Sequence, residues 1–221
     1  IIGYIMKLTL FFILFATIAL SMDVPSKPDG YLVAQSPNKT ARIDVFADIL
    51  CSACKAFEPE FTKFLKTHTV NGAPVTDFLE VHYHVFPLPY HHNSFFISRL
   101  VPFVDQQNFA NLTAFDFITW GLSVQDRYLS SGAIDLSEPQ VIDNMCIDFT
   151  EEIAAGLVTY DQCIEAIHNT SYELDARTSW KFGAYNGVSG TPTVHLNGVT
   201  VSPPFSAAAW PKFLKEYLPV H

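Results

Sequence analysis

The chain has little positive charge. Its 221 residues include 13 lysines and arginines against 22 aspartates and glutamates, which gives a formal net charge of −9. Binding to nucleic acid needs clustered cations that neutralise phosphates, whereas the cations here are scattered. We therefore expect no nucleic-acid partner. The hydrophobic fraction of 49% is enough for a sizeable core, and one domain with an insertion is expected.

The sequence also lacks an apolar run long enough for a typical membrane span, which takes about 20 residues. The N-terminal run from Leu8 to Leu20 is shorter, follows Lys7 and ends at small residues. This pattern predicts a signal peptide over residues 1–21 with the true start at Met6; a retained anchor is the alternative. After signal removal we expect no membrane association.

The C-terminus carries no K-D-E-L-type retention signal. We therefore expect a location in the secretory pathway or outside the cell, and a vacuolar or lysosomal compartment or a bacterial periplasm also fits. Asn38, Asn111 and Asn169 each begin an N-x-S/T sequon, which makes them candidate glycan acceptors in a eukaryotic secretory pathway.

Cysteine is sparse, with four residues in the chain. Cys51 and Cys54 form a C-S-A-C motif, and no second C-x-x-C or C-x-x-H motif accompanies them, which disfavours a structural zinc site. Export permits disulfides, and the favoured pairs are Cys51–Cys54 and Cys146–Cys163. The second pair would contribute about 3 kcal/mol by closing a loop, and two free buried thiols are the alternative.

The C-S-A-C motif lies between a predicted strand, residues 41–47, and a predicted helix, residues 53–66. A thiol at a helix start faces unpaired N–H groups and the positive end of the helix dipole, which favour the thiolate. Cys51 is therefore the expected nucleophile. Cys54, one turn further on, is placed to resolve a mixed disulfide formed at Cys51. Lys55 adds a nearby positive charge.

A second motif, G-V-S-G-T-P-T-V-H-L-N-G, covers residues 187–198. Thr191 and Pro192 enter a predicted strand that turns at Asn197-Gly198, a strong hairpin signal. Proline at a strand entrance removes a hydrogen-bond donor from the ladder. A cis bond there would leave neighbouring backbone groups free to pair with an extended peptide.

Between the two motifs, residues 79–88 are predicted to form a second strand, and residues 91–177 have aromatic residues at helical spacing. We interpret the latter as an insertion of several short helices. Residues 22–40 are polar and are predicted to be a flexible leader, with an edge strand over Tyr31 to Ala34 as the alternative.

Together, these features resemble the DsbA-like thiol-disulfide oxidoreductases of the thioredoxin-fold superfamily. The resemblance implies an α/β thioredoxin-like fold with an inserted helical subdomain, in which residues 41–90 and 178–221 form the thioredoxin-fold parts. It also implies that Cys51 and Cys54 are catalytic and that a cis Thr191-Pro192 bond packs beside them and aligns the substrate. No bound cofactor is needed. The implied partners are protein or peptide thiols and disulfides, with an unidentified redox partner.

The sequence departs from this family at two positions near the motif. Val45 stands where many relatives carry a buried acid that helps proton transfer to the inner cysteine, and Leu50 replaces an aromatic residue. Asp44 and Asp48 are near Val45, but Asp44 should point to the opposite face of the strand. The route of the proton is therefore open. The Cys146–Cys163 pair is not general in the family either.

Two further groups of side chains are candidates for binding. Four histidines, His82, His84, His91 and His92, could bind zinc or copper, but no carboxylate or cysteine at ligand spacing joins them, and we predict no metal site. An aromatic set is interpreted mainly as core of the insertion, with a peptide groove as the alternative: Phe95, Phe96, Phe103, Phe109, Phe115, Phe117 and Trp120.

Three functions follow from the sequence. The first is an exported thiol-disulfide oxidoreductase that exchanges disulfides with protein substrates through Cys51. The second is a noncatalytic thioredoxin-fold module that binds peptides beside Pro192 and has a static Cys51–Cys54 disulfide. The third is a glutathione-dependent transferase or isomerase, against which the C-S-A-C motif counts.

Overall fold

A five-stranded mixed sheet lies at the centre of the computed structural model, which describes residues 29–219. The predicted signal peptide lies outside the described residues. The strands of this sheet are β1 (Tyr31–Ala34), β2 (Ala41–Ala47), β5 (Leu79–Val85), β6 (Thr193–Leu196) and β7 (Val199–Val201). Their spatial order is β1-β5-β2-β6-β7, and β3 (Thr69–Val70) and β4 (Ala73–Pro74) form a separate hairpin.

The central strand β2 pairs in parallel with β5 and antiparallel with β6. The carboxyl ends of β2 and β5 therefore meet at one edge of the sheet, and the loop that enters β6 reaches the same edge. Both faces of β2 are buried, including Ile43, Val45 and Phe46, because helices cover the sheet on both sides. This edge carries the C-S-A-C motif.

Eight α-helices occur in the described part of the chain. They are α1 (Ser52–Thr67), α2 (Ser94–Ser98), α3 (Leu100–Gln107), α4 (Ala114–Val124), α5 (Glu138–Glu152), α6 (Tyr160–His168), α7 (Thr170–Tyr185) and α8 (Trp210–Phe213). None of the helices between residues 29 and 219 has the length and hydropathy needed to cross a bilayer.

Helix α1 covers one face of the sheet with aromatic side chains at helical spacing. Phe57, Phe61 and Phe64 are almost fully buried, and the Trp210 ring from α8 packs 4.7 Å from Phe61 and 5.5 Å from Phe64. Burial of large rings in this way contributes strongly to the core. Packing of α8 against these rings thus stabilises the position of α1 on the sheet.

Helix α7 covers the other face. A Cβ atom at Gly183 would lie 2.6 Å from the Phe86 ring, so only glycine permits this close approach. The Phe182 ring packs 5.2 Å from that of His84, which hydrogen-bonds through its two ring nitrogens to Asp29 and Asp44, both at 2.8 Å. Burial lowers the pKa of His84, but these two carboxylates outweigh it and raise the pKa overall.

Most predicted elements form, with three differences. Tyr31–Ala34 is the edge strand β1 and belongs to no flexible leader, because its backbone pairs with β5 and Tyr31 is buried. Strand β5 ends at Val85, ahead of Pro87, which has no N–H to donate. Helix α7 continues to Tyr185, past the predicted boundary at residue 177, since its C-terminal half packs against the sheet.

The predicted pair Cys146–Cys163 is a disulfide that joins α5 to α6. Both half-cystines are fully buried within the helical region, beside apolar residues such as Phe149 and Ile167. The helices on either side begin with capping boxes at Ser137 and Thr159. The disulfide therefore links two helices whose starts are already fixed locally.

Candidate active site

Cys51 is the N-cap residue of α1, at the point where the chain leaves β2 and turns into the helix. The helix dipole and the free N–H groups of its first turn therefore face the Cys51 sulfur. The side chain of Lys55 in that turn pairs with Asp126 at 2.6 Å, so its charge is shared with a carboxylate.

The site favours the thiolate form of Cys51. The pKa of Cys51 is lowered most by a hydrogen bond from the Cys54 thiol. It is lowered further by hydrogen bonds from Thr191 and from the backbone N–H groups of Cys54 and Ala53. Burial acts in the opposite direction, but the balance lowers the pKa of Cys51 to about 5. At neutral pH this thiol is therefore largely ionised.

Cys54 has the opposite character. It is almost completely buried, and burial together with the nearby charge of Cys51 raises the pKa of its thiol well above the ordinary value. The two cysteines are both reduced in the structure. One is thus prepared as a nucleophile, and the other holds its proton until a base removes it.

The loop before β6 lies against the cysteines. The Thr191-Pro192 bond is cis, as the family resemblance implies, and the Cys51 sulfur is 3.4 Å from the Thr191 carbonyl oxygen. The Thr191 hydroxyl is buried beside Cys51 and Cys54, and no other group within residues 29–219 forms a hydrogen bond with it. It is therefore available to donate to the Cys51 thiolate.

A buried carboxylate fixes the turn that carries Cys51. Asp48 is fully buried and accepts hydrogen bonds from the N–H groups of Leu50 at 2.8 Å and Leu88 at 2.7 Å. The Ser94 hydroxyl also donates to it, and Nδ1 of His91 lies 2.7 Å from its second oxygen. Asp48 thus connects the active-site turn to the loop after β5 and to α2.

Gln125 fixes the same turn from the helical region. Its buried amide nitrogen donates to the carbonyl oxygens of Ile49 at 2.8 Å and Cys51 at 3.3 Å. Gln125 was not predicted from the sequence, because nothing in its local pattern connects it with Ile49 and Cys51, which lie 76 and 74 residues earlier. Only the packing of the insertion brings it to the site.

A buried carboxylate near the inner cysteine comes from α1. Val45 is buried and pairs in register with Tyr83 of β5, so this strand position carries no acid. Glu58 is 4% exposed and follows Cys54 by four residues, which places both on the same face of the helix. Burial and the charges of Glu58 and Cys54 together raise the pKa of Tyr83, as expected if all three are close.

Glu58 also reaches a solvent-accessible space. It accepts hydrogen bonds from the hydroxyls of Thr62 at 2.5 Å and Thr119 at 3.5 Å, and it lines a cavity of about 580 Å³ between α1 and α4. Glu58 was not predicted from the sequence as a site residue. The signal was a lone carboxylate on the apolar face of α1, beside Phe57 and Phe61.

A family model described as thioredoxin matches residues 36–216. The chain belongs to the thioredoxin family. No curated protein matches it in sequence. The family match spans both motifs, the intervening helices and the closing segment, and the mixed α/β architecture with the cysteine pair at a helix start agrees with it.

Solved structures show which branch of this family the fold resembles. DsbA of Chlamydia trachomatis is 14% identical with a TM-score of 0.66, and the alignment covers 89% of this chain and 95% of that one. The α-DsbA1 protein of Wolbachia pipientis is 14% identical with a TM-score of 0.64, and the alignment covers 88% of this chain and 93% of that one. BdbD of Bacillus subtilis is 11% identical with a TM-score of 0.62, and the alignment covers 85% of this chain and 92% of that one. The fold is therefore DsbA-like.

Within this family fold, the four histidines of the sequence analysis have separate environments. His82 lies beside Glu80 at 3.1 Å, His84 binds Asp29 and Asp44, His91 binds Asp48, and His92 is exposed. Within residues 29–219 no three histidine, cysteine, aspartate or glutamate side chains are grouped to hold a metal ion.

The aromatic set of the insertion is largely core. Phe103, Phe117 and Trp120 are buried, and Phe96, Phe109 and Phe115 pack against the same cluster. Phe95 differs from them because it lines a cavity beside α7.

The three sequon asparagines lie on the surface to different degrees. Asn38 and Asn111 are exposed, whereas Asn169 is partly buried and caps α7 by accepting a hydrogen bond from the Ser171 N–H. Their modification stays a prediction.

Proposed function

We propose that this protein is an exported thiol-disulfide oxidoreductase that exchanges disulfides with protein substrates through Cys51 and Cys54. The observation that carries the proposal is the contrast between the two thiols, in which a stabilised Cys51 thiolate at a helix start lies beside a buried, protonated Cys54. That asymmetry gives the pair a defined order of attack. The DsbA-like fold supports the same activity.

In the reducing direction, the Cys51 thiolate attacks one sulfur of a substrate disulfide. A bond forms between Cys51 and that sulfur, and the other substrate sulfur leaves as a thiolate. Cys54 then loses its proton and attacks the Cys51 sulfur, which releases the second substrate thiolate and leaves a Cys51–Cys54 disulfide. The substrate gains two electrons and the enzyme loses two. The same steps in reverse oxidise a substrate dithiol.

Glu58 is our candidate for the group that accepts the Cys54 proton. It lies one helical turn from Cys54, is buried beside it, and faces the cavity between α1 and α4 through which a proton can pass to solvent. The carboxylate of Glu58 thus provides a proton acceptor on the helix. Strand β2 provides none at this place, because Val45 cannot accept a proton.

Thr191 and Pro192 are the proposed substrate contacts. Both are partly exposed, and Thr191 adjoins the sulfur that the substrate must approach. An extended polypeptide that lies along this loop would bring its own disulfide to Cys51.

We further propose that the chain acts after export, in the secretory pathway, outside the cell, or in a vacuolar, lysosomal or periplasmic compartment. The support is the signal-like sequence of residues 1–21 and the buried Cys146–Cys163 disulfide, which forms readily in oxidising compartments.

The reduction potential of the Cys51–Cys54 pair tests the proposed function. It is measured by equilibration in glutathione buffers and thiol alkylation, with Cys51→Ser as the control. A reversible couple between about −120 and −270 mV is expected. A pair that stays oxidised below about −300 mV would instead identify a static disulfide and favour the noncatalytic peptide-binding module.

A further inference from the structure

A second cavity lies at the same edge of the sheet as Cys51. It has a volume of about 380 Å³ and is open to solvent between the loop after β5 and the C-terminal half of α7. Its apolar walls are formed by Pro87, Leu88, Pro89, Phe95 and Trp180. A space of this size and composition accommodates one large apolar side chain.

Trp180 contributes the largest ring to this wall. It is 39% exposed, and its ring stacks on Phe86 at a centroid distance of 5.7 Å. The other two tryptophans of the chain, Trp120 and Trp210, are buried in other parts of the core. A partly exposed aromatic residue that stacks on a buried ring is a typical contact surface for another ring.

The polar residues around the cavity are all basic. Among residues 29–219, His91, His92, Arg177 and Lys181 line it, and no acidic residue does. This is unusual in a chain with a formal net charge of −9. Arg177 is paired with Glu173 one turn earlier, whereas Lys181 has no ion-pair partner within residues 29–219. The uncompensated charge at the cavity is therefore positive, and it complements an anion.

The cavity is also connected to the active-site turn. His91 contacts Asp48 at 2.7 Å, and the Leu88 N–H donates to the same carboxylate. Asp48 in turn holds the Leu50 N–H, one residue before Cys51. A polypeptide that fills the cavity therefore lies next to the loop that positions the nucleophile.

We propose that this cavity is a second binding site for the substrate polypeptide, which takes an aromatic side chain flanked by acidic residues. The inference rests on the proposed function, because it treats polypeptides as the substrates. The ring enters between Trp180 and Phe95, and the carboxylates meet Lys181. The site thereby selects acidic, aromatic segments near the disulfide to be exchanged.

Binding of cysteine-free peptides tests this inference separately from the redox reaction. Three fluorescein-labelled peptides of equal length carry Phe-Glu-Glu, Phe-Lys-Lys or Ala-Glu-Glu at their centre, and fluorescence polarisation gives their affinities for the full chain. We expect the first to bind at least about fivefold more tightly than either of the others, because only it offers both the ring and the charge.

Two variants and a matched control locate the site. Lys181→Glu should weaken binding of the Phe-Glu-Glu peptide by about fivefold or more, and Trp180→Ala should also weaken it. Lys63→Glu, the same charge reversal at the other cavity, should leave it unchanged. In nuclear magnetic resonance spectra, the peptide should shift the indole N–H signal of Trp180 but not that of Trp210.

Equal affinities for the three peptides, or equal weakening by Lys181→Glu and Lys63→Glu, would overturn the inference. The reduction potential of the same Lys181→Glu protein is measured in parallel and should match that of the unmodified chain. A normal potential without peptide binding would refute the second site and leave the proposed function intact. Loss of a reversible couple in the unmodified chain would refute the proposed function itself.

Discussion

The sulfur of Cys51 lies 3.4 Å from the carbonyl oxygen of Thr191, although the two residues are 140 positions apart in the chain. The contact exists because β6 pairs with β2, so the loop that enters β6 ends beside the turn that leaves β2. The nucleophile and the proposed substrate loop are thus joined by the sheet itself. The helical insertion lies between them in sequence without separating them in space.

Ionisation of Cys51 should follow a pKa of about 5, read from thiolate absorbance during a pH titration of the reduced protein. Cys51→Ser should abolish this transition. Cys54→Ala removes the main hydrogen-bond donor and should raise the pKa by about one unit or more, whereas Cys54→Ser keeps a donor and should raise it less. A pKa that is the same in Cys54→Ala and the unmodified protein would contradict the assignment of Cys54 as that donor.

The same ionisation should make the stability of the reduced protein depend on pH. The folded state lowers the pKa of Cys51 from its ordinary value of 9.0 to about 5. The resulting stabilisation is complete above about pH 9 and is lost as the pH falls through about 5. In urea unfolding, the advantage of the reduced protein over Cys51→Ala should therefore shrink from pH 8 to pH 4. An advantage that grows toward acid would contradict the sign.

The sequence predicted the parts of this site that local patterns encode. The strand before Cys51, the helix after it and the Asn197-Gly198 turn each follow from short-range periodicity or turn chemistry. Gln125 and Asp48 did not emerge as anchors, because their hydrogen bonds reach Ile49 and Leu88, and these pairs form only after the insertion and the sheet have packed. Long-range polar contacts of this kind have no local signature.

Glu58→Gln should slow the resolving step, since an amide cannot accept the Cys54 proton. The step is isolated by loading Cys51 with a chromogenic thiol and following its release in a single turnover. We expect release to be about tenfold slower near neutral pH and the difference to disappear at high pH, where hydroxide removes the proton. Glu60→Gln, on the same helix, is the matched control. A normal rate in Glu58→Gln would exclude Glu58 as the acceptor.

Removal of the second disulfide should destabilise the fold without changing the redox site. Cys146 and Cys163 are 17 positions apart, and opening a loop of this size costs about 3 kcal/mol of unfolding free energy. The double variant Cys146→Ser, Cys163→Ser is compared with the unmodified chain by urea unfolding. Its Cys51–Cys54 potential should stay the same, because the half-cystines lie on α5 and α6, away from α1. A changed potential would show that the two pairs are coupled.

Asp48→Asn tests whether the buried carboxylate sets the position of the active-site turn. The carboxylate accepts four hydrogen bonds, and an amide offers only one oxygen while its NH2 group faces donors. We expect a loss of about 3 kcal/mol in unfolding free energy and a Cys51 pKa closer to its ordinary value. Ser94→Ala removes one donor and leaves the carboxylate in place, so it should cost about 1 kcal/mol and leave the pKa near 5. If both variants shifted the pKa equally, the effect would come from general loosening of the fold and not from the bonds that Asp48 makes to the turn.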